Sequence, residues 1–237
     1  MGKRKFKNEK YNHLTSIDHQ FKAELKDNEA TITIYGEIGD YWWDSTSSSD
    51  VEKALKEVTA DTVHVHINSV GGDVFDGIAI FNLLRNHSSK VVIHVDGLAA
   101  SAASLIAMAG DEIVMNTGSM MMIHEASTFA FGTKTDIQKT MNALEGIDKS
   151  IADIYMTRFK GEKVDVEELI KAESWFTAEE AIELGFADEV KTVVEEVDPE
   201  DIKNNILQKF RSKNKQQVAA SATTNNIMAN FKRNSDE

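Results

Sequence analysis

Apolar and polar positions alternate from Ala30 to Tyr35 (ATITIY), and Gly36 ends the run, which predicts a half-buried strand. The spacing then changes. Between Asp50 and Val58 apolar residues recur at helical intervals behind Ser48, Ser49 and Asp50, all suited to an N-cap. Val63–Ile67 (VHVHI) returns to period two, Gly72–Leu84 to helical spacing, and Lys90–Val95 to a β-branched strand. A helix of alanines and serines is expected after Gly97, followed by strands at Glu112–Met115 and Met120–Ile123. Strands separated by helices predict an α/β fold of parallel βαβ units with right-handed crossovers.

The segment Asp136–Phe159 is different. Ile137, Met141, Leu144, Ile147, Ile151 and Ile154 or Tyr155 fall on one stripe of a helix, roughly 36 Å long at the standard rise. Two readings of that stripe stay open: it packs along its own sheet, or another subunit buries it. Residues 1–20 are polar, basic at the start and aperiodic, so a flexible arm is expected ahead of a single domain over 21–195. Residues 196–237, around and beyond Pro199, are rich in Asn, Gln, Ser, Thr and Lys and are expected to form a polar, partly disordered tail. A short helix is expected there around Ile202–Phe210.

The 237 residues can bury one full-sized α/β core. With 39 acidic against 26 basic side chains the net charge is -13, which opposes nucleic-acid phosphates and anionic lipid. Neither nucleic acid nor membrane is therefore expected as a partner. The chain has no cysteine, which removes disulfides, thiol nucleophiles and thiolate metal sites and fits a reducing cytoplasm. No metal or cofactor is expected. The small apolar run Gly97–Gly110, bracketed by Asp96 and Asp111, is too short to span a bilayer, and the basic N-terminus has no apolar stretch behind it to make a secretory signal.

Three short blocks carry candidate chemistry. In Val95–Ser104 (VDGLAASAAS) a strand ends, a glycine permits a turn, and a helix of small residues begins. A serine at such a turn sits where free helix N–H groups can stabilise an oxyanion, although small residues are also what a tightly packed helix uses. In Met120–Glu125 (MMMIHE) one histidine closes an apolar strand; it is either an edge residue or a base whose ordinary pKa, about 6.5, suits taking a serine proton near neutrality. In Ile67–Asp73 (INSVGGD) paired glycines between a strand and a helix make either a tight turn or a loop of ligand-facing N–H groups. It lacks the spacing of phosphate-binding fingerprints. His64, His66 and His94 lie within strands, in places suited to packing or exposure.

Taken in order, NSVGG, GLAASAAS, MMIHEA and ESWFTAEEAIELGFADEV resemble the Clp protease proteolytic subunit. More closely, they look like the Clp-related head maturation proteases of tailed bacteriophages and prophages. The resemblance covers Ile32 to Val190. It implies a spiral of repeated ββα units, shared with the crotonase group, and a long protruding handle helix. It implies a serine endopeptidase working on polypeptide through an acyl-enzyme, inside a ring-like homo-oligomeric chamber in the bacterial cytoplasm. Phage capsid or portal proteins, or an ATPase unfoldase, are the further partners it suggests. Carried over, the nucleophile falls on Ser101, with Ser104 as neighbouring candidate, and the base on His124. The oxyanion donors fall on the amides of Gly71 and Ala102. Val70 stands where cellular subunits have proline. The family's aspartate, counted back from Phe176, falls on Ser174, which has no carboxylate; the adjacent Glu173 is the expected acid, with Ser174 and water as the alternative. An extended substrate is expected to add as a strand after His124, near Gly132–Asp136.

Competing readings remain. A crotonase-type acyl-CoA enzyme would share the architecture without a Ser/His pair. A Ser/Lys peptidase would need a lysine in one of these blocks, and Lys134 is the nearest. A catalytically degenerate scaffold is suggested by the substituted acid position.

Overall fold

The computed structural model describes residues 17–26, 28–40 and 44–191. The N-terminal arm as far as residue 16, the tail from residue 196 and the expected helix at Ile202–Phe210 lie outside the described residues.

A hairpin opens the fold. β1 (Gln20–Lys26) runs antiparallel to β2 (Glu29–Ile38), and the short β3 (Ser45–Thr46) adds alongside β2. Then α1 (Ser48–Lys56), β4 (Thr62–Gly72), α2 (Val74–Arg85), β5 (Lys90–Ala100), α3 (Ala102–Ala107) and β6 (Glu112–Asn116) follow as crossover units. β7 (Met120–Ile123), α4 (Lys134–Tyr155), α5 (Lys163–Lys171), β8 (Ser174–Thr177), α6 (Ala178–Leu184) and β9 (Glu189–Lys191) complete it. The main sheet runs β1-β2-β4-β5-β6-β9, parallel from β2 onward. Its period-two strands give a two-sided sheet. One row, Ile34, Ile67, Val95, Met115 and Val190, crosses five strands in register, and its first four members belong to one buried core with Leu105 and Ile106 of α3. Each such buried aliphatic side chain contributes about 1.5–3 kcal/mol.

β5 carries the feature that positions the site. Its first half pairs β6 through Val92–Val95, while its second half, Leu98–Ala100, leaves β6 and pairs β7. β7 in turn pairs β8 antiparallel. The expected helix after Gly97 is therefore a strand for three further residues. The absent side chain at Gly97 lets Asn68 close in, since a Cβ there would lie 2.9 Å from Asn68 Oδ1. The strand-to-helix turn falls at Ser101 instead.

Two other expectations are corrected. Residues 17–20 do not belong to a free arm: Ile17 packs with Leu98, Ala100 and Met122, and His19 lies so close to Gly36 that a Cβ there would meet its Cα at 2.8 Å. The long stripe meets its own core over only part of its length. Ile151, Ala152, Ile154 and Tyr155 are buried in the chain's own core. Ile137 and Met141, nearer the other end of α4, remain 40% and 51% exposed. Thr133 caps that end in a capping box with Asp136, so the projecting turns are well started without tertiary support.

Candidate active site

Three strand ends converge at the carboxyl edge of the parallel strands, the usual place for a site in such sheets. β5 delivers Ser101, β4 delivers Gly71 and β7 delivers His124. His124 Nε2 and Ser101 Oγ are 2.8 Å apart. The partners come from residues 23 apart in sequence, and in the tautomer that leaves Nε2 without a proton the hydroxyl donates to it.

Ser101 is held in an unusual conformation, φ 56° and ψ −125°, as the N-cap of α3. Its N–H donates to Met122 O at 2.9 Å, stitching the turn to β7. A non-glycine residue at positive φ costs on the order of 1–3 kcal/mol, and such strain gathers at functional sites. Among the described residues only Asn28, Ser101 and Glu173 share positive φ without being glycine. α3 itself is buried along its whole length, which requires its Ala-rich sequence. Its first residue, Ala102, has an N–H that no helix carbonyl can reach, leaving a donor beside the serine.

Gly71 packs directly on this turn. A Cβ there would lie 2.5 Å from Ala100 O, 2.7 Å from Ser101 Cβ and 2.8 Å from Ala102 N, and φ is +84°. The residue is thus required to be glycine twice over. Its amide differs from the expectation, however. Gly71 N–H donates to Ser69 Oγ at 3.0 Å, and Ser69 Oγ donates in turn to Gly36 O at 2.6 Å. The donor expected from Gly71 is engaged within the loop, so Ala102 N–H is the amide the geometry leaves for an oxyanion.

Ser104 is excluded as a rival nucleophile. It is fully buried, donates to Ser101 O at 2.6 Å and lies 2.7 Å from Tyr155 OH. Its hydroxyl braces the turn from beneath. Burial pushes the Tyr155 phenol up, so it stays protonated.

The two acid candidates differ in place. Ile123–Ser174 is the last pair between β7 and β8, and His124 and Glu173 are the residues next beyond it. Glu173 is half-buried at φ 55°. Ser174 donates its hydroxyl proton to Leu169 O at 2.8 Å, which ties β8 to α5 rather than to the histidine. Sequence reasoning missed another carboxylate. Asp148 of α4 accepts the Ala126 amide at 2.8 Å, two residues past His124.

The segment between His124 and Thr133 has no regular secondary structure, and Phe129 and Phe131 stand fully exposed on it. Gly132 there has φ +133°. Lys134 begins α4 beyond that segment. No helix among the described residues is long and apolar enough to cross a membrane, and no cluster of three or more His, Asp or Glu there could hold a metal ion.

Residues 21–194 match the Clp protease family. Proteolytic subunit 3 of the ATP-dependent Clp protease of Rhodococcus jostii is 29% identical over 173 residues, covering 72% of this chain and 85% of its own. The proteolytic subunit from Bacteroides thetaiotaomicron is 34% identical over 134 residues, 54% of this chain and 59% of its own. Subunit 1 from Protochlamydia amoebophila is 29% identical over 163 residues, 65% and 79% of the two chains. The matched span takes in Gly71, Ser101, His124 and Glu173, and the mixed α/β architecture agrees with it: the chain belongs to the Clp protease family.

Proposed function

We propose that the chain is a serine endopeptidase that cleaves polypeptide through an acyl-enzyme on Ser101. The observation that carries this is the 2.8 Å contact between His124 Nε2 and Ser101 Oγ at a strained strand-to-helix turn. His124 takes the hydroxyl proton as Ser101 Oγ attacks the peptide carbonyl. The carbonyl oxygen becomes an oxyanion beside Ala102 N–H, and Gly71 N–H joins it by exchanging its Ser69 bond. The imidazolium then protonates the leaving amine, and water releases the acyl group by the reverse sequence. Glu173, next beyond the last β7–β8 pair as His124 is, is the carboxylate we assign to orient the ring, with Ser174 in a structural part.

Substrate adds as an extended strand along the exposed segment after His124, where main-chain hydrogen bonds tolerate many sequences. The projecting turns of α4, with Ile137 and Met141 open, favour burial against another copy in a ring-like chamber. Head maturation in a phage or prophage, with capsid or portal proteins as substrates, is the narrower role suggested by the sequence blocks. The relatives' names, ATP-dependent Clp protease subunits, favour an ATPase unfoldase as the alternative partner.

Hydrolysis of an internally quenched peptide or an unfolded protein by the full chain tests the proposal. Ser101→Ala and His124→Ala are each expected to lower kcat/KM by about 10³-fold or more. Activity that survives both substitutions overturns it, and a wild-type chain that assembles but cleaves nothing leaves the degenerate scaffold.

A further inference from the structure

Beyond the serine and histidine, one carboxylate is built against the same site from a different element. We propose that Asp148 is a positioning residue for the reaction, clamping the chain just after His124 and supplying negative charge to the imidazolium that His124 becomes.

The geometry is specific. The segment that follows His124 has no regular secondary structure, so few backbone bonds hold it. Ala126 N–H is held by Asp148 Oδ1 at 2.8 Å across 22 residues of sequence. Asp148 in turn sits on a firm base. It lies in α4 between Ile147, which packs partly on the core, and Ile151, which is buried in it. The carboxylate is half-buried, and burial together with the Glu125 charge pushes its pKa above the ordinary aspartate value. The Ala126 N–H and the His124 charge pull it the other way. The bond to Ala126 N–H holds this carboxylate two residues along the chain from His124, where it attracts a positive charge on the ring. Glu125, next to His124 on its own segment, and Glu173, next beyond the Ile123–Ser174 pair, are further carboxylates nearby. Glu125 is exposed, whereas Asp148 is anchored by the helix.

This inference rests on His124 acting as the base, and its test is chosen to separate the two. In Asp148→Asn the amide oxygen still accepts Ala126 N–H, so the clamp survives and only the charge goes; in Asp148→Ala both go. The imidazole of His124 is titrated by NMR in full-length Ser101→Ala chain, with its resonance assigned by loss in Ser101→Ala/His124→Gln. Asp148→Asn is expected to lower the His124 pKa by on the order of half a unit. On the active chain it is expected to shift the acid limb of the kcat/KM profile in the same direction and to cut kcat about three- to tenfold, with KM little changed. Asp148→Ala should lose more. An unmoved His124 titration in Asp148→Asn overturns the proposal, as does full rescue of rate and pH profile by asparagine. If the wild-type chain hydrolyses nothing, the reading of His124 as base fails, and the NMR titration still decides whether Asp148 acts on it.

Discussion

The histidine ladder of the sheet and the His124 site both place histidine within hydrogen-bonding reach of a polar partner, and they are built for opposite ends. On the sheet face away from the helices, His64, His66 and His94 form a ladder across β4 and β5. His66 and His94 stack at 4.6 Å, and His64 Nδ1 lies 2.9 Å from His94 Nε2. Asp96 ends the ladder, receiving His66 at 2.9 Å, Tyr35 OH at 2.6 Å and Asn116 at 2.7 Å. Burial and its two histidine neighbours hold His94 down to about 4. Burial works against the Asp96 charge, yet the hydrogen bonds from His66 and Tyr35 keep its carboxyl below the ordinary range. Both oxygens of the Asp96 carboxylate are taken up by neighbours in the sheet. At the other site, His124 faces a hydroxyl held at a strained turn, next to an amide that the helix cannot use. A hydrogen bond alone does not mark a base; what distinguishes His124 is a partner hydroxyl held at a strained turn with a helix-start amide beside it.

The comparison can be broken most forcefully at Gly71. Gly71→Ala drives a Cβ into Ala100 O at 2.5 Å and into Ser101 itself, and should lower kcat/KM by at least about 10²-fold. Gly118→Ala is its control: φ is +79° but the added Cβ meets nothing within 4 Å. That variant should lose about 1 kcal/mol of stability and keep its activity, which steady-state rates and denaturant melts of the pair would show.

Next in size is the Glu173 carboxylate. Glu173→Gln is expected to reduce kcat about tenfold or more, while Ser174→Ala changes it less than about twofold. Reversal of that order in steady-state kinetics would return the orienting role to Ser174.

The smallest effect on rate belongs to the histidine ladder. With a folded pKa of about 4 against an ordinary 6.5, His94 resists protonation in the folded state. The stability it contributes is complete above pH 6.5 and is lost as pH falls from 6.5 through about 4. His94→Gln should flatten the fall in Tm across that window and leave kcat/KM near neutrality within about twofold. A large loss of activity in that variant would join the two regions that the geometry keeps apart.

How much of this was legible in the sequence follows from the range of each interaction. Period-two runs such as VHVHI and ATITIY marked β4 and β2 because a strand's faces repeat locally. Even so, β4 continues to Gly72 and β5 to Ala100, because pairing with β2 and β7 extends them where propensity would stop. The blocks around Ser101 and His124 were readable as chemistry, but their meeting depends on β5 changing partner from β6 to β7. Ser69 was overlooked, although it continues the inward-facing set Val63, Val65, Ile67 and is a hydroxyl where a hydrophobe is due. That signal pointed to a buried acceptor, which proves to hold the Gly71 amide. Asp148 gave no local sign, since its partner lies 22 residues earlier.

Everything chemical here depends on a nucleophilic hydroxyl at one place. Reaction of the full chain with a fluorophosphonate, followed by intact-mass measurement and peptide mapping, reads that directly. A single adduct per chain on Ser101, formed much more slowly after His124→Ala, is the expected result. No adduct under conditions where the chain is folded, or an adduct at any other serine, would contradict it.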